Sequence, residues 1–408
     1  MSSVLLVGIT VFAGFAAGEV ARKLGLPKVT GFILAGVLLN PTVTGFIPHD
    51  FAEHTDLVTN IALSFITFSV GGTLLFSRVR TLGKSIISIT LLEAESAFVV
   101  VLLGTVLVGP LFVHAGDATW TGTFIPVALL IACLASPTDP SATLAVVHEY
   151  KARGKVTSTV LGAAAFDDVL GIINYSIAIA LAQMLVVHAK LDFSSVVLAP
   201  AVDILGAVAL GIAFGFAFNL LTGLVRRETE GVLIVAVLSM LSLCFGAASL
   251  IGVDELLSTM TMGMIVVNYN PLREKVFQIL ERYTEELIFV LFFTLSGMHL
   301  GFATLVQNFP LVLLFVAFRT VGKVAGAMAG AQLGKSPRKV KKYVAGGLIP
   351  QGGIVVGLAL LMQQNPAFKD ISDIVINVII GATVIHEIAG PIVSKMAIRA
   401  AGEIPADR

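Results

Sequence analysis

Charged residues are scarce in this sequence: Asp, Glu, Lys and Arg make up only 13% of its 408 residues. A soluble domain carries about 25% of such residues, so the composition excludes a soluble globular protein. Apolar side chains account for 56% of the chain, and the mean hydropathy is +0.95. These values indicate a polytopic membrane protein whose main surrounding is the lipid bilayer.

Cysteine and net charge are limited as well. The two cysteines, Cys133 and Cys244, both lie within apolar runs, which excludes a disulfide framework and a CxxC metal site. The formal net charge is zero, so a nucleic acid is not an expected partner. The glycine-rich run at 322–330 follows no strand, so it indicates close helix packing rather than a phosphate loop. We expect no cofactor.

Thirteen apolar segments are candidates for membrane-spanning helices, each of which needs about 20 residues. They predict an all-α polytopic fold with about thirteen transmembrane helices. The segments are 3–22, 29–47, 56–76, 85–113, 122–149, 156–187, 195–225, 231–250, 254–269, 283–300, 309–333, 341–363 and 371–398.

The connections between these segments alternate in charge. Lys and Arg concentrate in every second connection, as at 22–28, 151–155 and 335–342, whereas the intervening connections almost lack them. Under the positive-inside rule, this pattern places the N-terminus outside and the C-terminus in the cytoplasm. An odd number of spans satisfies both placements.

Two of the segments are interrupted by proline and glycine. The fifth contains Pro-Thr-Asp-Pro at 137–140, and the twelfth contains Pro-Gln-Gly-Gly at 350–353. Neither run can continue a regular helix. The two segments are seven spans apart, and an odd offset means that they cross the membrane in opposite directions. Paired broken helices of opposite sense predict an inverted-repeat transporter with its site near the midplane.

Two adjacent carboxylates, Asp167 and Asp168, lie in the middle of the sixth apolar segment. A charged side chain at bilayer depth costs roughly 2.5–3.5 kcal/mol on insertion scales, so it is kept mainly where it binds or moves something. On a helix the two side chains point about 100° apart. One of them can therefore face an aqueous cavity while the other pairs with a cation, and we interpret the two as a cation and proton site.

Charges of both signs share the depth of this pair. Asp139, Asp167 and Lys323 each lie twelve residues from a cytoplasmic lysine at the end of their own segment. At 1.5 Å per residue this is about 18 Å, near the middle of the hydrocarbon core. A hard cation prefers oxygen ligands, and Asp168, Asp139 and Thr138 are the metal ligands that we predict.

Four further ionisable residues lie within predicted spans: Glu93, Glu95, His386 and Glu387. The cost of burying them in the bilayer is consistent with a proton-sensing or relay role. A pair that only joins two helices is the alternative interpretation, and the sequence leaves both open.

These motifs together resemble a known family. The runs at 136–140 and 166–168 look like those of the monovalent cation:proton antiporters, and so do 31–41, 292–297 and 351–353. The resemblance covers essentially the whole chain. It implies a core domain with two crossed, unwound helices that rocks against a dimerisation domain, and it implies a homodimer.

The resemblance also implies roles for single residues. Asp168 resembles the cation-binding aspartate of the family, and Asp167 resembles the one that pairs with a lysine. Lys323 is the first candidate for that lysine, and Arg319, one helical turn away, is a second candidate partner. The Asp–Asp pair resembles the electrogenic branch of the family, whereas Thr-Asp-Pro at 138–140 is more usual in the electroneutral branch.

The same resemblance divides the chain into parts. The whole chain, 1–408, is expected to form one integral membrane transporter unit. The ion-binding core is expected at about 85–187 and 309–398, and the dimerisation domain at about 1–76 and 195–300. The expected location is the cell (inner) membrane of a bacterium or an archaeon.

The leading functional hypothesis is a secondary antiporter that exchanges Na⁺ or Li⁺ for H⁺, with K⁺/H⁺ exchange as the alternative. The same aspartates would bind either the cation or protons, and this competition would couple the two fluxes. An intramembrane aspartyl protease is a less suitable class, because neighbouring residues on one helix cannot face each other across a water molecule. We therefore expect a transporter that is not an enzyme. A channel would differ from it in showing no proton counterflow.

Overall fold

The computed structural model describes residues 3–24, 28–45, 47–48, 55–77, 83–112, 119–139, 143, 146–147, 150–187, 198–224, 229–298, 302–351 and 354–404. Within these ranges every regular element is a helix and none is a strand. The predicted all-α class is therefore confirmed.

Thirteen main helices follow one another along these ranges, and each falls within one of the predicted segments or overlaps it. They are α1 (Ser3–Lys23), α2 (Lys28–Leu39), α3 (Asp56–Thr73), α4 (Lys84–Val108), α5 (Ile125–Cys133), α6 (Lys155–Val186), α7 (Ala199–Leu224), α8 (Glu230–Ile251), α9 (Glu255–Tyr269), α10 (Glu285–Met298), α11 (Phe302–Leu333), α12 (Ile354–Gln363) and α13 (Ser372–Ala400).

Short helical turns join or extend several of these helices. They are Pro41–Thr44, Gly109–Leu111, Trp120–Phe124, Arg273–Ile279, Leu280–Thr284, Arg338–Tyr343, Val344–Leu348 and Pro366–Phe368.

The main helices differ in whether they could cross a membrane alone. Six within the described ranges are long and apolar enough, and α13 makes a seventh if its bend of 41° after His386 lies within one span. Five others, α2, α3, α5, α10 and α12, are apolar but shorter. The number thirteen for complete spans stays a prediction.

Two of the short helices reflect the interruptions seen in the sequence. Helix α5 ends at Cys133, well before the predicted end of its segment, and residues 137–139 have no regular structure. Helix α12 begins only at Ile354, after the 3₁₀ turn Val344–Leu348. Proline lacks the amide hydrogen that a helix interior requires, which accounts for both breaks.

Helices α4 and α11 pack backbone to backbone. A Cβ atom on Gly326 would lie 2.2 Å from the Leu92 carbonyl oxygen, and one on Gly330 would lie 2.4 Å from that of Ser88. The Ser88 hydroxyl also donates to the Gly330 carbonyl at 2.8 Å. Small residues allow such close approach of membrane helices, as the glycine spacing of α11 predicts.

The remaining helices form two sets of neighbours. Helix α6 packs on α4 and α5, and α11 packs on α13 as well as on α4. In the other set, α9 packs on α3 and α7, and α10 packs on α2. These neighbours are those that the predicted core and dimerisation domains would contain, although the division itself stays a prediction.

The cytoplasmic start of α6, on the predicted orientation, is capped from a distant part of the chain. The Glu403 carboxylate accepts hydrogen bonds from the amides of Val156 at 2.9 Å and Thr157 at 2.8 Å. It also accepts one from the Thr157 hydroxyl at 2.8 Å. The first amides of a helix have no partner within the helix, and a carboxylate there interacts favourably with the helix dipole.

Candidate functional site

The two interrupted segments meet inside the protein. The amide of Asp139 donates to the carbonyl of Pro350 at 3.2 Å, and the side-chain amide of Gln351 donates to the carbonyl of Leu134 at 3.0 Å. Each break therefore supplies part of the backbone bonding that the other has lost. Pro140, Gly352 and Gly353, which belong to the predicted motifs, lie outside the described residues.

Arg319, on α11, joins both breaks. Its guanidinium donates to the carbonyls of Ala135 at 3.0 Å, Pro137 at 2.7 Å, Ile349 at 2.6 Å and Pro350 at 3.3 Å. The side chain is completely buried. Broken helices leave carbonyl oxygens without amide partners, which are costly to bury in a membrane unless another donor serves them.

This finding corrects one prediction. Arg319 was the second candidate for the partner of Asp167, but its hydrogen bonds go to backbone carbonyls at the two breaks. The fork of five N–H groups suits several fixed acceptors at once.

Lys323 lies one helical turn further along α11 and contacts two carboxylates. Its ammonium nitrogen is 3.0 Å from Oδ2 of Asp167 and 2.7 Å from Oε2 of Glu93. It also donates to the Thr138 hydroxyl at 2.6 Å, and that hydroxyl donates to the same oxygen of Asp167. All four side chains are fully buried, so the charges lie where solvent screens them least.

Asp168 follows Asp167 on α6 and is also buried, with 7% of its surface exposed. Its Oδ1 atom receives no hydrogen bond from any residue that the structure describes. Asp139, at the first break, is within electrostatic range and is equally buried. A buried ionised carboxyl oxygen without a partner is unfavourable, whereas a proton or a bound cation removes the penalty. Asp168 is thus chemically suited to hold either one.

Thr138 is placed beside Asp167 and Lys323, and its hydroxyl already has both as partners. These two bonds use its proton and one of the two lone pairs of its oxygen, so one lone pair remains for a cation. Among the described residues, no group of three or more His, Cys, Asp or Glu side chains could hold a metal ion. A cation at Asp168 would therefore depend on hydroxyl and backbone carbonyl oxygens as well.

Two other predicted relay residues, Glu95 and His386, have hydrogen-bond partners of their own. Glu95 is half-buried and accepts a hydrogen bond from Asn174 at 3.3 Å. His386 is buried, and its Nδ1 lies 2.9 Å from the Ala382 carbonyl oxygen of its own helix. Glu387 belongs to α13, but its side chain lies outside the part of the chain that the structure describes.

Glu93 is the residue that sequence reasoning placed least well. The structure places it in an ion pair between helices α4 and α11, and its relay role stays a prediction. Glu93 lies nine residues from Lys84, against the spacing of twelve that the other charges share. The difference corresponds to about 4.5 Å along a helix, which the long side chain of Lys323 bridges.

Comparison with known proteins agrees with this architecture. The sequence profile of the family described as "Sodium/hydrogen exchanger, transmembrane" matches residues 7–398. The Na⁺/H⁺-K⁺ antiporter GerN of Bacillus cereus is 22% identical over 84% of this chain and 83% of its own length. The low-affinity Na⁺/H⁺ antiporter NhaS1 of Synechocystis is 24% identical over 68% of this chain and 54% of its own length.

The fold is similar to that of a solved antiporter. The structure of the sodium proton antiporter MjNhaP1 from Methanocaldococcus jannaschii at pH 8 superposes with a TM-score of 0.76 at 18% identity. The superposition covers 98% of each chain. The family profile and this shared fold make the protein a multi-pass cation/proton antiporter rather than an enzyme, and the chain belongs to the sodium/hydrogen exchanger family.

Proposed function

We propose that this antiporter exchanges Na⁺ or Li⁺ for H⁺ by alternating access, and that Asp168 holds either the cation or a proton. The observation that carries the proposal is the buried Oδ1 of Asp168, which no described residue hydrogen-bonds. It lies on the same helix as Asp167, whose carboxylate contacts Lys323 and the first break.

Competition at one site couples the two fluxes. A protonated Asp168 is neutral and has no charge with which to bind a cation. A cation that arrives from the other side displaces this proton, so the protein carries one ligand or the other in each direction. Asp139 and Thr138 supply further oxygens to the transported cation, together with backbone carbonyls of the breaks that Arg319 does not use.

The electrogenic mode belongs to the same proposal. Asp167 and Lys323 form an ion pair with the Thr138 hydroxyl between them. When the cation draws Asp167 away from this pair, the Lys323 ammonium gives up a proton to water. This is the second proton, so more than one proton moves for each cation. The likeness of the Asp–Asp pair to the electrogenic branch supports this stoichiometry.

K⁺/H⁺ exchange is the alternative function. Carboxylate, hydroxyl and carbonyl oxygens are suitable ligands for either ion, and the relative GerN is named for both Na⁺ and K⁺.

The proposed transport cycle needs two bodies that move against each other. We assign the ion-binding core to about 85–187 and 309–398, and the dimerisation domain of a homodimer to about 1–76 and 195–300. The distribution of Lys and Arg supports a cytoplasmic C-terminus and an external N-terminus. The membrane of the proposal is the cell membrane of a bacterium or an archaeon.

Proteoliposomes with an imposed pH gradient test the proposal. A fluorescent pH probe would report proton flux on addition of Na⁺, Li⁺ or K⁺, each with and without a membrane potential. We expect Na⁺ and Li⁺ to collapse the gradient, and a membrane potential to change the rate. Asp168→Asn should abolish the signal, while Asp370→Asn, an exposed residue before α13, should retain it. Full exchange by Asp168→Asn would overturn the assignment, and a response to K⁺ alone would favour the alternative.

A further inference from the structure

Two carboxylates share one ammonium group in the buried cluster, and they do so unequally. Glu93 on α4 is 2.7 Å from the Lys323 nitrogen, whereas Asp167 on α6 is 3.0 Å from it. Asp167 also accepts a hydrogen bond from the Thr138 hydroxyl. The Lys323 ammonium also hydrogen-bonds Asp167. Neither oxygen of Glu93 has a hydrogen-bond donor among the described residues, so the ammonium 2.7 Å away supplies its nearest compensating charge.

This inequality has an energetic consequence. A fully buried carboxylate that loses its only charged partner is strongly destabilised, because nothing else compensates for its lost hydration. Asp167 would keep its hydroxyl donor if Lys323 moved away, whereas Glu93 would keep none. The Glu93–Lys323 contact is therefore the harder of the two to break.

Helix packing also holds Glu93 in place. A Cβ atom added to Gly326 would lie 2.6 Å from the Cα of Glu93, and one added to Gly322 would lie 2.7 Å from the Cα of Ala97. The backbones of α4 and α11 thus touch on both sides of the ion pair. Glu93 and Lys323 project from two helices that are in direct contact, whereas Asp167 lies on a third helix.

We propose that Glu93 is the fixed counter-ion of Lys323 and that Asp167 is its exchangeable partner. Glu93 is then a positioning residue of the exchange site: it holds the Lys323 side chain in place when Asp167 leaves it for the transported cation. This inference rests on the proposed function and adds one residue to its site.

The proposal predicts how the protein handles its cation without Glu93. The ammonium would then depend on Asp167 alone, so an arriving cation would have to compete with Lys323 for that carboxylate. The site would also lose one negative charge close by. Both effects weaken cation binding, and neither requires a slower conformational change.

The first test is kinetic. In proteoliposomes at alkaline pH, where the cation rather than the proton occupies the site, Glu93→Gln should raise the KM for the transported cation about tenfold, equivalent to about 1.4 kcal/mol. The maximal rate should change by less than about threefold. Glu93→Asp should recover most of the affinity, because it restores the charge. Glu255→Gln, which removes a half-buried acid at the start of α9, is the matched control and should keep the wild-type KM.

The second test does not need transport. Thermal unfolding of the purified single and double variants gives the coupling between two side chains. We expect the coupling between Glu93→Gln and Lys323→Met to exceed that between Asp167→Asn and Lys323→Met at least twofold.

The two proposals fail in different ways. An unchanged KM in Glu93→Gln, or a coupling larger for Asp167 than for Glu93, would overturn the role of Glu93. A wild-type protein that exchanges none of the three cations would overturn the proposed function, and the unfolding measurements would still decide which carboxylate holds Lys323.

Discussion

The guanidinium of Arg319 donates a hydrogen bond to the carbonyl oxygen of Pro137 at 2.7 Å. The same side chain donates to the carbonyl of Ile349 at 2.6 Å, so a single buried cation serves both interrupted helices. Arg319 thus places a positive charge where the two interrupted helices cross. The carbonyl oxygens there lack amide partners and carry a partial negative charge. Lys323, one turn away on α11, is left to contact the carboxylates.

The first prediction concerns this crossing. Arg319→Lys keeps the charge but cannot reach four carbonyls in different directions, since an ammonium is a compact donor without the planar fork. Hydrogen bonds to charged groups contribute about 1.5–3 kcal/mol each, so we expect a loss of about 2 kcal/mol or more. Thermal unfolding in detergent would measure it.

Arg273→Lys is the matched control for this variant. Arg273 is half-buried and makes one long bond, 3.5 Å, to the carbonyl of Val267, so its replacement should change the unfolding temperature little. Equal unfolding temperatures for the two variants would contradict the role given to Arg319.

The second prediction concerns the hydroxyl of Thr138. Thr138→Val keeps the shape of the side chain but removes the group that accepts from Lys323 and donates to Asp167. The buried ammonium and carboxylate would each lose a partner, at a cost of about 1–3 kcal/mol. We expect slower exchange in the pH-gradient assay and a lower unfolding temperature.

Thr138→Ser separates the hydroxyl from the methyl group. It retains the donor and acceptor, so exchange should stay close to the wild-type rate. If Thr138→Ser were as slow as Thr138→Val, packing of the methyl group rather than hydrogen bonding would explain the loss.

The third prediction tests the contact between α4 and α11. Gly326→Ala would place a carbon atom 2.2 Å from the Leu92 carbonyl oxygen, which forces the two backbones apart. Overpacking of this kind costs typically 1–3 kcal/mol, and the displacement occurs beside the ion pair of Glu93 and Lys323. We expect a lower unfolding temperature together with slower exchange.

Gly246→Ala makes the same chemical change where there is room. Nothing lies within 4 Å of a Cβ atom at this position on α8, and alanine favours a helix over glycine by about 1 kcal/mol. The variant should therefore be as stable as the wild type or more so. Similar losses in both variants would argue against close packing at Gly326.

The fourth prediction concerns the cap on α6. Glu403→Gln removes the negative charge that the amides of Val156 and Thr157 share. Loss of a helix cap costs about 0.5–2 kcal/mol. Hydrogen–deuterium exchange of the first turn of α6 should become faster, while the exchange of α8, which Glu403 does not contact, stays unchanged. Glu274→Gln, which changes an acid elsewhere in the chain, should leave both helices as they are.

Much of the fold could be predicted because it depends on composition and local order along the chain. The positions of the helices follow from the apolar segments, and the early end of α5 follows from proline, whose effect is local. The close packing of α4 on α11 could be anticipated from the glycines of α11.

The partners of the charged residues were harder to predict. Counting residues from the cytoplasmic lysines gave Asp139, Asp167 and Lys323 one depth, but it placed Glu93 too shallow to suggest a contact with Lys323. The sequence also did not show that Arg319 hydrogen-bonds backbone carbonyls rather than a carboxylate. This preference depends on where two breaks, about 210 residues apart in the chain, come together in space.

By itself, the sequence determined that this chain lies in a membrane, where its helices are interrupted and which acids lie at bilayer depth. Each of these follows from the cost of placing a polar group or an unpaired backbone in lipid. Only the tertiary structure decided that Lys323 bridges Glu93 and Asp167 while Arg319 joins the two breaks. Ion pairs and hydrogen bonds form over a few ångströms. Distances on that scale depend on how the helices cross and pack, and they cannot be calculated from the depth of a residue along its own helix.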